Sequence, residues 1–415
     1  MKPAARPRLP VRLFNGGGRV LAAAGLSKRP LAVAEEAMHE KAVRTVGSAD
    51  FGDPAYLEGF RVLVEAYDRE SRLTPFGRMM VDQQLLGILK NRLIADKAWK
   101  EEPEILKREI RRPVFILGLP RTGTTALHHL LGQDPAVQVL EYWMAAAPAP
   151  RPPRRQWDAH PRFKGALREL RTMYYLDPAL KAIHLMTADG PEECRHLFQQ
   201  TFTDDTFDCN SNLPSYSRWY GSHDMTATYE RHRDLLKLIG STSPEKRWVL
   251  KYPVHMRNLR TLFKVYPDAC IVQTHRDPSR VMPSICSLVA GWRGIYEYRP
   301  DRKAIADWQL QLWAEGLLDS MELRREYGGE RFFDLHFREV AEDPVGAVRR
   351  MYRYFDMELS EEGRRRLNAW HGDNPRGKHG EHVYTAADFG LSDESINRRF
   401  APYLEHFEVE REKGA

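Results

Sequence analysis

An α/β fold is what this sequence predicts: a doubly wound parallel sheet flanked by helices, with a helical extension at the N-terminus. Three observations carry it. Across residues 31–110 apolar positions recur at helical spacing, with Val81, Leu85, Ile88, Leu89 and Leu93 on one stripe. Four later runs, 113–119 (PVFILGL), 247–252 (RWVLKY), 269–275 (ACIVQTH) and 331–337 (RFFDLHF), are short and largely apolar. Such runs suit parallel strands buried on both faces. Helical stretches at 124–132, 254–265, 278–290, 302–326 and 344–355 follow or separate them. Strands alternating with helices make a parallel sheet.

Taken in order, the first residues, MKPAARPRLPVR, are basic and Pro-rich. The apolar run Val20 to Leu26 after them is too short for a signal-peptide core. The charged connector 100–112 (KEEPEILKREIRR) closes the helical region, giving expected domains of 1–110 and 111–415. Asp277-Pro278 and Asp343-Pro344 each suit a helix N-cap followed by Pro at the first helical position. The Pro- and Arg-rich stretch 145–162 is expected as a loop or extended crossing, and 372–382 as a basic, Gly-containing loop.

Composition narrows the class. With 415 residues, 42% hydrophobic and 29% charged, the chain is globular rather than collagen-like, disordered or coiled-coil. A net charge of +6, from 63 Lys+Arg against 57 Asp+Glu, is too small to indicate nucleic acid but leaves room for a local polyanion pocket. The longest uncharged stretches, such as Thr122 to Gln133, fall short of the ~18–20 residues of a membrane span. The four cysteines, Cys194, Cys209, Cys270 and Cys286, show no CxxC or metal-finger spacing. Buried thiols in a reducing compartment, hence a cytoplasmic location, are expected.

The chemistry-bearing signal is Gly118-Leu119-Pro120-Arg121-Thr122-Gly123-Thr124-Thr125, directly after a strand and opening a helix. That geometry surrounds a phosphate with backbone N–H groups and a helix N-terminus. Compared with the nucleotide-triphosphate loop GxxxxGK[ST], both glycines are in register, but Thr124 replaces the lysine and Arg121 brings a basic side chain earlier. Such a P-loop-like turn is poorly suited to ATP and well suited to a single phosphate or phosphosulfate. The second signal is Arg276, in Thr274-His275-Arg276-Asp277-Pro278, with Ser284 eight residues on. Arg276 leaves the carboxyl end of its strand, where α/β sheets bind ligands, and a bidentate Arg–phosphate contact is strong.

Together these two elements resemble the sulfotransferases that use 3′-phosphoadenosine 5′-phosphosulfate (PAPS). The resemblance extends over about residues 110–400, through LKYPVH (250–255), HFREVAEDPVGAVRRMYRYFDM (336–357) and RGKHGEHVYTAADFGL (376–391). It implies that Arg121, Thr122, Gly123, Thr124 and Thr125 hold the 5′-phosphosulfate, and that Arg276 and Ser284 hold the 3′-phosphate. Arg376, Gly377, Lys378 and His379 would form a basic flap over it. Residues 111–415 would then be the sulfotransferase domain, with PAPS as co-substrate, no metal, and a small-molecule hydroxyl as acceptor. Arg121 and Lys251 would stabilise the leaving group. Three departures from the animal branch stand out: Arg121 replaces a lysine, RGKHGEH replaces its C-terminal loop, and Pro253 falls where its catalytic histidine is found.

The general base stays open among His255, Glu141, and Glu193 or His196. Two other functions fit the sequence less well. A P-loop kinase using ATP–Mg²⁺ lacks its loop lysine, and a non-catalytic nucleotide or RNA binder lacks a basic stripe interleaved with aromatics. The aromatic stretches 142–147 and 172–176 read as core more readily than as an acceptor pocket.

Overall fold

The computed structural model describes residues 9–23, 30–176, 178, 185–374 and 385–412. Five strands form one sheet: β1 (Val114–Gly118), β2 (Val137–Gln138), β3 (Arg247–Lys251), β4 (Cys270–His275) and β5 (Phe332–His336). All neighbours run parallel, in the order β2-β3-β1-β4-β5. The four apolar runs became β1, β3, β4 and β5, each within about two residues of its expected bounds. β2, a two-residue strand, was not among them.

Side chains alternate between the two faces, as a pleated strand requires. From β1, Phe115 and Leu117 point into the larger core, while Val114 and Ile116 point into the smaller one with Leu127, Val249, Val272 and Met351. All four β1 side chains are buried, which is why the run carries no polar residue.

The N-terminal helices are α1 (Leu9–Ala23), α2 (Glu35–Val46), α3 (Tyr56–Glu70) and α4 (Pro75–Glu101). Thr74 caps α4 by accepting the Gly77 N–H at 2.9 Å, with Pro75 in its first turn. The expected stripe from Val81 to Leu93 is buried, and its core is continuous with Phe115 and Leu117. Buried Arg92 fastens α4 by donating to the carbonyls of Phe51 (2.7 Å), Asp53 (2.9 Å) and Gln200 (2.6 Å).

A largely helical insertion lies between β2 and β3, including Pro161–Leu176 and Thr226–Ile239. Its start corrects the expected loop at 145–162: Arg154–Ala159 is a 3-10 turn and Pro161 opens a helix. The physical reason is Trp157, whose ring is buried while its Nε1 donates to Pro152 O at 2.9 Å. The helix expected over 254–265 begins instead as a 3-10 turn, Pro253–Asn258, and becomes α-helical at Leu259–Val265. Asp277 and Asp343 cap their helices as expected, accepting the N–H of Ser279 (2.9 Å) and Gly346 (2.8 Å). No helix among the described residues is long and apolar enough to cross a membrane.

Because β1 lies between β3 and β4, the connections from its end and theirs diverge to opposite sides. That divergence opens a crevice at the carboxyl edge, where doubly wound sheets place ligands.

Candidate active site

β1 ends at Gly118, which has φ +126° and meets the backbone of Thr274 on β4; a Cβ there would lie 2.5 Å from the Thr274 carbonyl oxygen. Only glycine fits. The chain then passes through Arg121 (φ +68°) and Gly123 (φ +90°), and α5 (Thr124–Leu131) begins. A non-glycine residue held at positive φ is uncommon, and here it helps to turn the backbone around the crevice. Thr122 is buried, donates to Leu119 O at 2.6 Å and lies 2.5 Å from the Thr274 hydroxyl. Its side chain therefore fixes the shape of the turn. The N–H groups of the first turn of α5, including those of Thr124 and Thr125, have no partner within the helix and face this edge.

From β3 comes Lys251, 3% exposed. Its Nζ donates to Glu193 Oε1 at 2.6 Å and to Thr125 Oγ1 at 3.3 Å, joining the turn to a carboxylate from the insertion. The Glu193 segment runs along the end of β3, where the Cys194 N–H donates to Lys251 O at 3.3 Å. Tyr252, the next residue, hydrogen-bonds through its hydroxyl to Asp204 and, at 2.8 Å, to Asp205. Burial, reinforced by the charge of Asp204, raises the Asp205 pKa. Sequence reasoning missed this pair, because TDDTFD carries no sign that a tyrosine 47 residues on would grip it.

From β4 comes Arg276. Its Nη1 donates to the Arg121 carbonyl at 2.9 Å, and its guanidinium lies 3.8 Å from the Phe337 ring centre. The remaining donors fork onto Glu412, Nε to Oε1 at 2.6 Å and Nη2 to Oε2 at 3.0 Å. Glu412 is held further by its N–H to Asp277 (2.8 Å) and its carbonyl to Arg280 (2.8 Å). Arg276 thus grips an oxyanion of its own chain in the bidentate manner that suits phosphate. Ser284 is buried on the helix Pro278–Tyr296 that follows. The expected flap residues Arg376, Gly377, Lys378 and His379 lie outside the described residues.

Two of the expected bases are placed elsewhere. His255 has no exposed surface: Nδ1 lies 2.8 Å from the Tyr229 hydroxyl, and Phe115, Phe198 and Tyr252 pack around the ring. Burial, with His232 beside it, pushes its pKa well down. The 3-10 turn Pro253–Asn258 carries this ring into the interior, between Phe115 and Phe198. Glu141 is buried against Arg151, Nε to Oε2 at 3.1 Å, and the same guanidinium holds Gln138 and the Val139 carbonyl. Burial raises the Glu141 pKa against the pull of Arg151, but the pair ties the insertion to the sheet edge. His196 packs edge-on against Tyr142.

A family model described as the sulfotransferase family matches residues 113–361, from the start of β1 to beyond β5. The solved structure of sulfotransferase STF1 from Mycobacterium tuberculosis is similar, with 37% identity and a TM-score of 0.80, covering 88% of this chain and 98% of that one. Sulfotransferase STF9 from Mycobacterium avium matches with 29% identity and a TM-score of 0.84, over 91% of this chain and 98% of that one. A curated relative, the omega-hydroxy-beta-dihydromenaquinone-9 sulfotransferase of Mycobacterium bovis, is 26% identical over 251 residues. That match spans 59% of this chain and 63% of the relative's length. With the family model covering more than half of its residues, this chain belongs to the sulfotransferase family.

Proposed function

We propose that this chain is a PAPS-dependent sulfotransferase acting on the hydroxyl of an apolar, lipid-like acceptor. The observation that carries the proposal is the convergence of the 118–125 turn, the Lys251–Glu193 pair and Arg276 at the ends of three adjacent strands. These donors fit a sulfated nucleotide bisphosphate: backbone N–H groups and Lys251 for the 5′ end, a bidentate guanidinium for the 3′-phosphate. That guanidinium already holds a carboxylate as a stand-in anion. The lipid character of the acceptor is taken from the menaquinone relative.

In this reading the acceptor oxygen attacks sulfur, forming the new O–S bond. The bond from sulfur to the bridging oxygen of the 5′-phosphate breaks, and the acceptor proton passes to Glu193. Negative charge grows on the bridging oxygen as the bond breaks. Lys251, with one proton on Thr125 and another on Glu193, has a third to offer that oxygen, and the α5 N–H groups add to it. Donors fixed before the reaction stabilise the transition state more than the ground state. We assign the base to Glu193 because it borders the turn through Lys251, whereas His255 is enclosed.

Calorimetry tests the ligand class. Adenosine 3′,5′-bisphosphate should bind with the same affinity whether Mg²⁺ is added or omitted, and ATP–Mg²⁺ should bind far more weakly. Preference for ATP–Mg²⁺ would overturn the reading. Labelled PAPS should then transfer label to omega-hydroxylated quinones or other hydroxylated lipids.

Glu412 gives a second expected result. If the 3′-phosphate takes Arg276, the carboxylate must leave first, so Glu412→Gln should tighten bisphosphate binding by about 1 kcal/mol, roughly fivefold, the scale of a partly exposed pair. Weaker binding in the variant would show that Glu412 supports the ligand instead.

A further inference from the structure

Beneath the Lys251–Glu193 pair lie three side chains that the sulfuryl-transfer chemistry does not use. Cys194 follows Glu193 directly, His232 comes from the helix Thr226–Ile239, and His255 from the turn Pro253–Asn258. All three have 0% exposure, and each offers a ligand atom within 4.8 Å of those of the other two. The histidines are fixed alike. His232 Nδ1 lies 2.7 Å from the Tyr266 hydroxyl, and His255 Nδ1 lies 2.8 Å from the Tyr229 hydroxyl. Both Nε2 atoms are then buried without a hydrogen-bond partner.

Neither tautomer resolves this. If the Nδ1–H groups donate to the tyrosines, two buried Nε2 lone pairs are left bare; if they accept, two buried Nε2–H groups are. Phe115 and Phe198 pack on both rings and supply no polar atom to answer either arrangement. Buried polar groups left unanswered are rare and call for a cause. Here two belong to histidines whose ligand atoms gather with one thiol.

We propose that Cys194, His232 and His255 bind a thiophilic d¹⁰ cation, Zn²⁺ or Cu⁺. One thiolate and two imidazoles are ligands that both ions favour. Nδ1–H donating to a tyrosine oxygen is the outer contact that orients a metal-bound histidine and leaves Nε2 for the ion. With metal–nitrogen bonds near 2.0–2.1 Å and metal–sulfur near 2.3 Å, bound ligand atoms stand about 3.3–3.8 Å apart, so the cluster closes by about an ångström. Cys194 gives its thiol proton to solvent as the sulfur–metal bond forms. Cu⁺ with one thiolate is neutral and needs only three ligands; Zn²⁺ takes a water as its fourth.

The ion would have a structural role. Cys194 adjoins Glu193 and donates its N–H to Lys251 O, and His255 stands four residues after Lys251. A metal joining them locks together the two segments that carry the Lys251–Glu193 pair. Its presence does not depend on the sulfuryl-transfer reading.

Elemental analysis of the full-length protein, purified without chelator or affinity metal, tests this. About one zinc or copper per chain is expected, as for a structural site, and less than about a tenth of an ion overturns the proposal. Cys194→Ser should lose the metal, while Cys209→Ser keeps it. Should Cys194→Ser fail to fold, protein produced with cobalt should show a thiolate-to-cobalt charge-transfer band that His232→Gln and His255→Gln each abolish or shift. Metal retained in full by Cys194→Ser, or a cobalt protein lacking the band, places any ion elsewhere and overturns the assignment.

Discussion

Glu193→Gln should lower kcat by about 10²–10⁴, the usual cost of losing a general base, while bisphosphate affinity stays at or above its original value. The substitution keeps the shape and one oxygen for Lys251 but removes the proton acceptor. It also leaves the Lys251 ammonium, 2.6 Å away, without its counter-charge, which favours an anionic ligand rather than weakening it. A pH–rate profile separates this from a structural defect: the limb governed by the base should disappear in the variant. If most of kcat survives, Asp205 is the next carboxylate to test, because it accepts a hydrogen bond from Tyr252, the residue directly after Lys251.

Arg276→Ala should weaken binding of PAPS and of the bisphosphate by about 1.5–3 kcal/mol, roughly 10- to 150-fold, the range for hydrogen bonds to charged groups. Adenosine 5′-phosphosulfate, which has no 3′-phosphate, should bind both proteins about equally. The guanidinium also donates to the Arg121 carbonyl, so a general collapse of the turn would weaken both ligands alike and refute the assignment. A double-mutant cycle adds a stricter check: the gain from Glu412→Gln should vanish once Arg276 is alanine.

β1 was legible because all of its side chains are buried and apolar. β3, β4 and β5 were legible because a short, mostly apolar and β-branched or aromatic run stands out even with a polar residue such as Lys251, Gln273 or Asp334 in it. β2 was not, since two residues carry no period. The 118–125 turn was legible for a different reason, its glycines being required by backbone geometry at Gly118 and Gly123. The pairings were not legible. Glu193 and Lys251 are 58 residues apart and Arg276 and Glu412 are 136 apart, and no local spacing records either contact. His255 misled because distance along the chain from Lys251 says nothing of ring direction; the 3-10 turn starting at Pro253 sends the ring inward.

The strand order has a consequence for how this protein assembles. Val114 of β1 pairs with Val249 on one side and Cys270 on the other, partners 135 and 156 residues further along the chain. The carboxyl edge therefore has no local precursor, and β1, β3 and β4 must all be paired before the 118–125 turn, Lys251 and Arg276 come together. Long-range parallel pairing of this kind is slow to form, because loop closure must precede the contacts that reward it. A nucleotide that recognises all three strand ends recognises only the finished sheet. It should hold that sheet closed by mass action, about 2.7 kcal/mol at a concentration one hundred times its Kd. Refolding in the presence of the bisphosphate should recover more protein than refolding without it, and proteolysis of the 142–239 insertion should slow in proportion to occupancy.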